Sequence, residues 1–189
     1  MMLKNRCGWC TSDPVYITYH DSEWGVPVKD DKLLFEMLVL ESFQAGLSWI
    51  TILNKRDNFR KAFDSFDYKK IAKYDKSKVE SLMQDKGIVR NRKKIEATIN
   101  NAKAFLKIQK SHGCFSHFIW SFVNHEPIVN RYTTLEEVPA QTDISKAMAM
   151  SLKDNGFSFM GPITCYAFMQ ATGLVNDHIT DCFKHPDNL

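Results

Sequence analysis

Apolar positions recur every three to four residues in segment after segment, the spacing of helices packed on a common core. Leu34, Met37, Leu38 and Glu41 follow this period, with Asp30 or Asp31 placed to cap the start. Ser48 can cap a second helix from 49 toward 54 and on to 62, and Asp67 can open a third over 68–74. Ser77-Lys78-Val79-Glu80 has capping-box spacing ahead of Leu82 and Met83, with Gly87 ending that helix. A long helix fits 90–110: Ile95, Ile99, Ala102 and Phe105 or Leu106 form its apolar face, and Gly113 lies past its end. Residues 115–123 read as a short aromatic helix, and 124–142, holding Pro127 and Pro139, as the longest irregular connection. A helix over 143–155 closes at Gly156, and Pro162 suits the first position of a last helix, 162–172, closed by Gly173. No run alternates long enough to predict a sheet, and no repeat or low-complexity tract is visible. The predicted class is all-α, with one domain over 1–189.

Composition narrows the function classes. With 189 residues, 44% of them hydrophobic, the chain can bury one compact core, and 25% charged residues suit a soluble protein. A net charge of +3 permits an anionic partner such as nucleic acid without demanding one. Residues 1–6 lead straight into Cys7-Gly8-Trp9-Cys10, not into an apolar leader, and the most apolar segment, 33–40, is broken by Glu36 and too short to cross a bilayer. Five cysteines, an odd number without an export signal, point to reduced thiols and a cytoplasmic setting; some can hold metal.

Four constellations could carry chemistry. Cys7 and His20 near one end, with His178 and Cys182 near the other, can supply two thiolates and two imidazoles. That set completes a closed tetrahedral shell for one structural zinc ion and would tie down both termini. The i, i+4 spacing of His178 and Cys182 predicts a shared helix face. Cys10 is an alternative to Cys7, and core or surface roles for all of these residues are the plainer reading. Glu41 continues an apolar stripe, where a carboxylate is expensive unless it is paired or used. It is either bonded at the edge of the core or forms the floor of a pocket walled by Trp9, Tyr19 and Trp49, suited to a flat cationic ring. Residues 156–164, Gly-Phe-Ser-Phe-Met-Gly-Pro-Ile-Thr, form either an ordinary helix corner or a hairpin whose backbone N–H groups hold a phosphate. Lys86, Arg90, Arg92, Lys93 and Lys94 form either a solvated face or a phosphate contact.

Together these residues resemble one family, the bacterial 3-methyladenine DNA glycosylase I proteins, from about Arg6 to Cys182. The resemblance is carried by Arg6-Cys7-Gly8-Trp9, Asp13-Pro14-Val15-Tyr16, Tyr19-His20-Asp21-Ser22-Glu23-Trp24-Gly25-Val26-Pro27 and Leu40-Glu41. It continues through Gln44-Ala45-Gly46-Leu47-Ser48-Trp49-Ile50-Thr51, Trp120-Ser121-Phe122-Val123-Asn124-His125, and Cys165-Tyr166 with Phe168-Met169-Gln170-Ala171 to Gly173-Leu174-Val175-Asn176-Asp177-His178. The resemblance implies a helix-hairpin-helix glycosylase fold, with zinc held by Cys7, His20, His178 and Cys182 in preference to Cys10. It implies a base pocket of Glu41, Tyr19 and Trp49 with Trp9 nearby, and a DNA-binding hairpin at Phe159-Met160-Gly161. The implied activity is removal of 3-methyladenine from double-stranded DNA; nothing in the sequence suggests a membrane, an obligate protein partner or more than a monomer.

Two positions depart from the wider superfamily. Ile163 stands where many relatives carry a lysine nucleophile, which implies a monofunctional enzyme that leaves an abasic site. Asn176 stands where the superfamily places a catalytic aspartate, with Asp177 displaced by one, so the usual activating carboxylate is in question. A base that already carries a methyl-derived positive charge needs less acid–base help to leave, so Glu41 can serve chiefly in recognition. The competing readings are a non-catalytic zinc-containing module that binds damaged DNA, and a protein-interaction scaffold stapled by zinc.

Overall fold

The computed structural model describes residues 5–189, and helices dominate it. In chain order they are α1 (Pro14–Ser22), α2 (Asp31–Gln44), α3 (Trp49–Ala62), α4 (Tyr68–Ile71), α5 (Lys76–Gln84), α6 (Arg92–His112), α7 (Phe115–Trp120), α8 (Asp143–Asp154) and α9 (Pro162–Ala171). Two-residue strands, β1 (Ile128–Val129) and β2 (Val175–Asn176), pair in parallel, Ile128 opposite Val175 and Val129 opposite Asn176. They are too short to show as alternation in the sequence.

α2 is the axis of the molecule. Every residue from 34 to 43 is buried, so it is covered on all sides, not on one stripe. Asp30 caps it by accepting from the Leu33 amide at 2.9 Å. Asp31, the other candidate, accepts instead from the amides of Phe115 and Ser116 and so caps α7. At the far end, Lys94 is buried and its Nζ donates to the carbonyls of Phe43 (2.8 Å) and Ala45 (2.7 Å). A cation on the last carbonyls of a helix satisfies acceptors that have no partner within it. Lys94 therefore leaves the predicted basic face, and Arg92 is bound to Glu80 by two bonds of 2.7 and 2.8 Å.

The helix starts differ from expectation in three places, one being α6, which begins at Arg92 behind an Asn91 cap and not at 90. α1 was not foreseen, although Asp13 caps it and Pro14 opens it, the arrangement expected of a short helix. α5 is capped by Asp75 through the Lys78 amide, two residues before the predicted Ser77, because the aspartate carboxylate is the stronger acceptor. The irregular stretch 124–142 folds back beside the end of the chain. Asn130 N donates to Asn176 O, and Thr180 N donates to Tyr132 O, so β1–β2 delivers Asp177 and His178 to a fixed place.

The chain crosses itself closely where α9 ends. Gly25 N donates to Gln170 O and Val28 N to Thr172 O, each at 2.9 Å. Gly173 sits at φ +68°, and a Cβ there would lie 2.3 Å from the backbone carbon of Val26. Only glycine fits, because the conflict is with main chain on a neighbouring segment and not with a side chain that could turn away. Gly173→Ala should therefore destabilise the fold by at least about 3 kcal/mol, read from urea denaturation. A loss below 1 kcal/mol, roughly, would show that the crossing can widen.

Candidate active site and metal centre

Three helices bring a pocket together. α1 supplies Tyr16 and Tyr19, α2 supplies Glu41 and Gln44, and α3 begins at Trp49. They border a cavity of about 440 Å³, a volume suited to one planar heterocycle with its substituent. Trp9 and Trp24 extend the aromatic side, and Leu135, Val138 and Pro139 of the long irregular connection form an apolar side. Ala167, Gln170 and Asp177 complete the lining from α9 and the segment after it.

The predicted pocket residues meet here. Trp9 packs 6.3 Å from Tyr19, and Tyr19 packs 5.5 Å from Trp49, between ring centroids. The indole Nε1 of Trp49 is buried and reaches no acceptor at full hydrogen-bond geometry, with the Tyr19 hydroxyl oxygen beside it. An unpaired buried donor costs of the order of 1–3 kcal/mol, so one that persists on a cavity wall is available to a ligand acceptor.

Glu41 is the second unpaid group. It is 4% exposed, and none of the described residues donates to its carboxyl. Burial alone raises its pKa to about 8, so with no cation beside it the group is the neutral acid at pH 7. Glu36, five residues earlier on the same helix and just as buried, is treated in the opposite way: Arg56 Nε donates to it at 2.6 Å and Arg60 at 2.8 Å. Two carboxylates thus lie inside one helix bundle, one neutralised by arginines and one facing an open cavity.

Cys7, His20, His178 and Cys182 also converge. All four are buried, and their candidate ligand atoms lie within 4.8 Å of one another. Cys182 Sγ is 3.4 Å from His178 Nδ1 and 3.5 Å from His20 Nε2, and Cys7 Sγ is 3.5 Å from His178 Nδ1. The outward ring nitrogens are held in place: His20 Nδ1 by Asp21 at 2.9 Å, and His178 Nε2 by the Trp24 carbonyl at 3.1 Å. Such partners fix each ring and aim its other nitrogen inward, as a metal requires. Arg6 grips Asp21 with two bonds of 2.7 and 2.8 Å and backs this arrangement. The hydrogen bond from Cys7 pulls the Cys182 thiol down, and the same contact with burial pushes Cys7 up, so the pair holds one proton where a cation would release both. Cys10 lies outside the cluster and is half-exposed. His178 and Cys182 do not share a helix, as their spacing suggested; turns after β2 bring them together. Trp24 stands edge-on to both His178 and Trp9, at 4.6 and 5.0 Å, so the cluster abuts the aromatic wall of the pocket.

The hairpin residues lie between α8 and α9. Phe159 is exposed at φ +60°, while the Met160 side chain is buried, leaving only its backbone to a partner. Gly161 is the N-cap of α9 and offers no side-chain cap, so first-turn N–H groups of α9 face outward unpaired. Asn101 of α6 clamps the hairpin by donating to Ser158 O (3.0 Å) and accepting from Ser158 N (2.8 Å).

Sequence reasoning missed Tyr16, Trp24, Gln44, Gln170 and the wall from 135 to 139. Tyr16 was within reach, because recognising α1 places residues 16, 19 and 20 on adjoining faces. The others depend on long-range packing and carry no local signal.

The methyladenine glycosylase family profile matches residues 9–185. The chain is 54% identical over 183 residues, covering 97% of this chain and 98% of the relative, to DNA-3-methyladenine glycosylase 1 of Escherichia coli K12. The fold superposes on a crystal structure of a 3-methyladenine DNA glycosylase I at 51% identity with a TM-score of 0.94, over 96% of this chain and 100% of the other. It also superposes on a tyrosine-to-phenylalanine variant of such an enzyme in complex with 3-methyladenine, at 41% identity with a TM-score of 0.93, over 96% and 98% of the two chains.

A carboxyl whose folded pKa stands above its unfolded value of 4.5 makes the native state bind more protons than the unfolded chain, so stability falls as pH rises from about 4.5 to about 8. Glu41→Gln should remove that slope, at most roughly 5 kcal/mol across the window. The variant is then more stable than wild type at pH 9, as urea denaturation at pH 5.5 and pH 9 would read. Parallel curves for the two proteins would mean that Glu41 is solvated or paired.

Proposed function

This chain belongs to the methyladenine glycosylase family, and from that premise we propose that it hydrolyses the N-glycosidic bond of 3-methyladenine in alkylated DNA, with Glu41 as the central recognition group. The observation that carries the reading is a buried carboxyl, with no partner of its own, facing an aromatic-walled cavity. Adenine methylated at N3 is a flat cation within the DNA chain. Tyr19, Trp49 and Trp9 offer it π-faces, Glu41 accepts from its amino edge, and the Trp49 N–H donates to a ring nitrogen. Entry of the cation also lets Glu41 ionise, since an opposite charge at close range favours the carboxylate. Unmodified adenine brings no charge to offset that ionisation, so the pocket discriminates by charge as well as by shape.

The base leaves with both electrons of the bond between C1′ and N9, which neutralises its charge, and water completes the reaction at C1′. Ile163 stands at the start of α9, and no lysine among the described residues lines the cavity, so none of them places an amine to form a Schiff base and nick the strand. The product is an abasic site. We read the α8–α9 corner as a helix-hairpin-helix element whose Phe159-Met160-Gly161 turn and first-turn N–H groups hold a backbone phosphate. The whole chain then acts as one cytoplasmic, monomeric glycosylase unit.

For the cluster at Cys7, His20, His178 and Cys182 we read one zinc ion. A tetrahedral ion with Zn–S of about 2.3 Å and Zn–N of about 2.0–2.1 Å requires S···N separations of about 3.5–3.6 Å, close to the spacing found. Two thiolates and two imidazoles leave no open position, so the ion has a structural role: it joins the segment before α1 to the last turns of the chain. A DNA-damage-binding module without catalysis is the alternative, and it predicts no base release.

The purified protein should release free 3-methyladenine from methylated duplex DNA without strand cleavage, and Glu41→Gln should lower kcat/KM by about 10²-fold. Absence of base release from the wild type would leave the binding-module reading. Cys182→Ala should reduce zinc, measured by elemental analysis, from one ion per chain toward none and lower Tm; full metal content in that variant would remove Cys182 from the ligand set.

A further inference from the structure

Asp177 and Gln170 line the same cavity as Glu41, and the proposed function leaves them without a role. Asp177 is completely buried yet borders the cavity, while Asn176 turns back to accept from the His178 amide. Both Asp177 oxygens are occupied: Asn130 Nδ2 donates to Oδ1 at 2.7 Å, and the Tyr166 hydroxyl (2.6 Å) and Gln170 Nε2 (2.8 Å) donate to Oδ2. An arrangement with donors on both oxygens is the one that suits a carboxylate.

The consequence falls on Gln170. Its amide nitrogen is committed to Asp177, so its orientation is forced: a carboxylate accepts only from the N–H side. Gln170 Oε1 accepts from none of the described residues, and the side chain is half-buried on the cavity wall. One turn earlier on α9, Ala167 lines the same wall and adds little bulk. What this side of the pocket offers is thus a fixed acceptor oxygen backed by a buried negative charge, beside a space with room for a sugar or a water.

The geometry points to Gln170 as the residue that orients the attacking water and meets the sugar cation, with Asp177 as the positioning carboxylate behind it. The inference rests on the glycosylase reading above. Glu41 and the rings take the base, and Gln170 lines the same cavity, so the sugar joined to that base comes within reach of this wall. The bond from C1′ to N9 breaks with its electron pair leaving on the purine. The water oxygen, held by its O–H donated to Gln170 Oε1, forms the new bond to C1′, and its surplus proton passes to bulk solvent. An amide carbonyl needs no proton transfer to do this. Asp177 keeps that carbonyl from rotating away and adds negative potential toward the developing oxocarbenium ion.

The test separates base recognition from the sugar step. Gln170→Met keeps the length of a half-buried side chain and is the deciding variant; Asp177→Asn accompanies it, read with its metal content because Asp177 adjoins His178. In single-turnover assays on methylated duplex, Gln170→Met should release 3-methyladenine about 10²-fold more slowly. Its affinity for the free base, followed by tryptophan fluorescence, should be unchanged. Wild type should bind a duplex carrying a cationic pyrrolidine abasic analogue more tightly than one carrying the neutral tetrahydrofuran analogue, and both variants should lose about tenfold of that preference. Release by Gln170→Met at the wild-type rate would overturn the proposal, as would loss of free-base affinity in step with release or an unchanged preference between the analogues. Failure of the wild type itself to release base would instead strike the glycosylase reading.

Discussion

The structure depends on how it treats acid groups inside α2. A carboxylate moved from water to a protein interior loses several kcal/mol of hydration unless something replaces it. At Glu36 two arginines supply the replacement, and Arg56 also reaches Glu23 at the end of α1 with a bond of 2.6 Å. The three helices that border the pocket are thereby braced against one another. At Glu41 nothing is supplied, and the residue is held as a neutral acid beside a cavity. A stable fold that leaves this acid unmatched suits a positively charged partner, and the aromatic rings around it attract the same charge.

The Cys/His cluster serves the pocket through packing. Its ligands come from before α1, from α1 itself and from the last turns of the chain, and Trp24 touches both the cluster and Trp9. An ion bound there would fix the position of α1, and so of Tyr16 and Tyr19, relative to α9 and the segment that carries Asp177. The close crossing at Gly173 acts on the same two segments from the other side. The residues proposed for recognition and for the sugar step therefore share a single seam.

Much of this was legible in the residues, for identifiable reasons. α2, α6, α8 and α9 follow from apolar period and end signals, since those depend only on neighbours in sequence. Glu41 was visible as a charge on an apolar stripe, and the four metal-ligand candidates as soft and imidazole donors near the two ends. What was hidden depends on distance along the chain. Lys94 looked like part of a basic face, but its burial comes from the end of α2 lying against it. His178 and Cys182 were expected on a helix, because four-residue spacing cannot distinguish a helical turn from tight turns that bring the same two side chains together. The wall of Leu135, Val138 and Pro139 belongs to a connection without periodicity. Asp177 appeared displaced from a catalytic position, and only its bonds to Asn130, Tyr166 and Gln170 reveal that it borders the cavity.

The central claim, that Glu41 is desolvated, unpaired and kept for a cation, is tested most directly by following its side-chain carboxyl carbon by NMR from pH 4 to pH 10. The midpoint should lie near 8 in the free protein and move toward ordinary carboxylate values when 3,9-dimethyladeninium, a cationic mimic of the alkylated nucleoside base, is added. A midpoint close to 4.5 in the free protein, or one that the cation leaves in place, would contradict that claim.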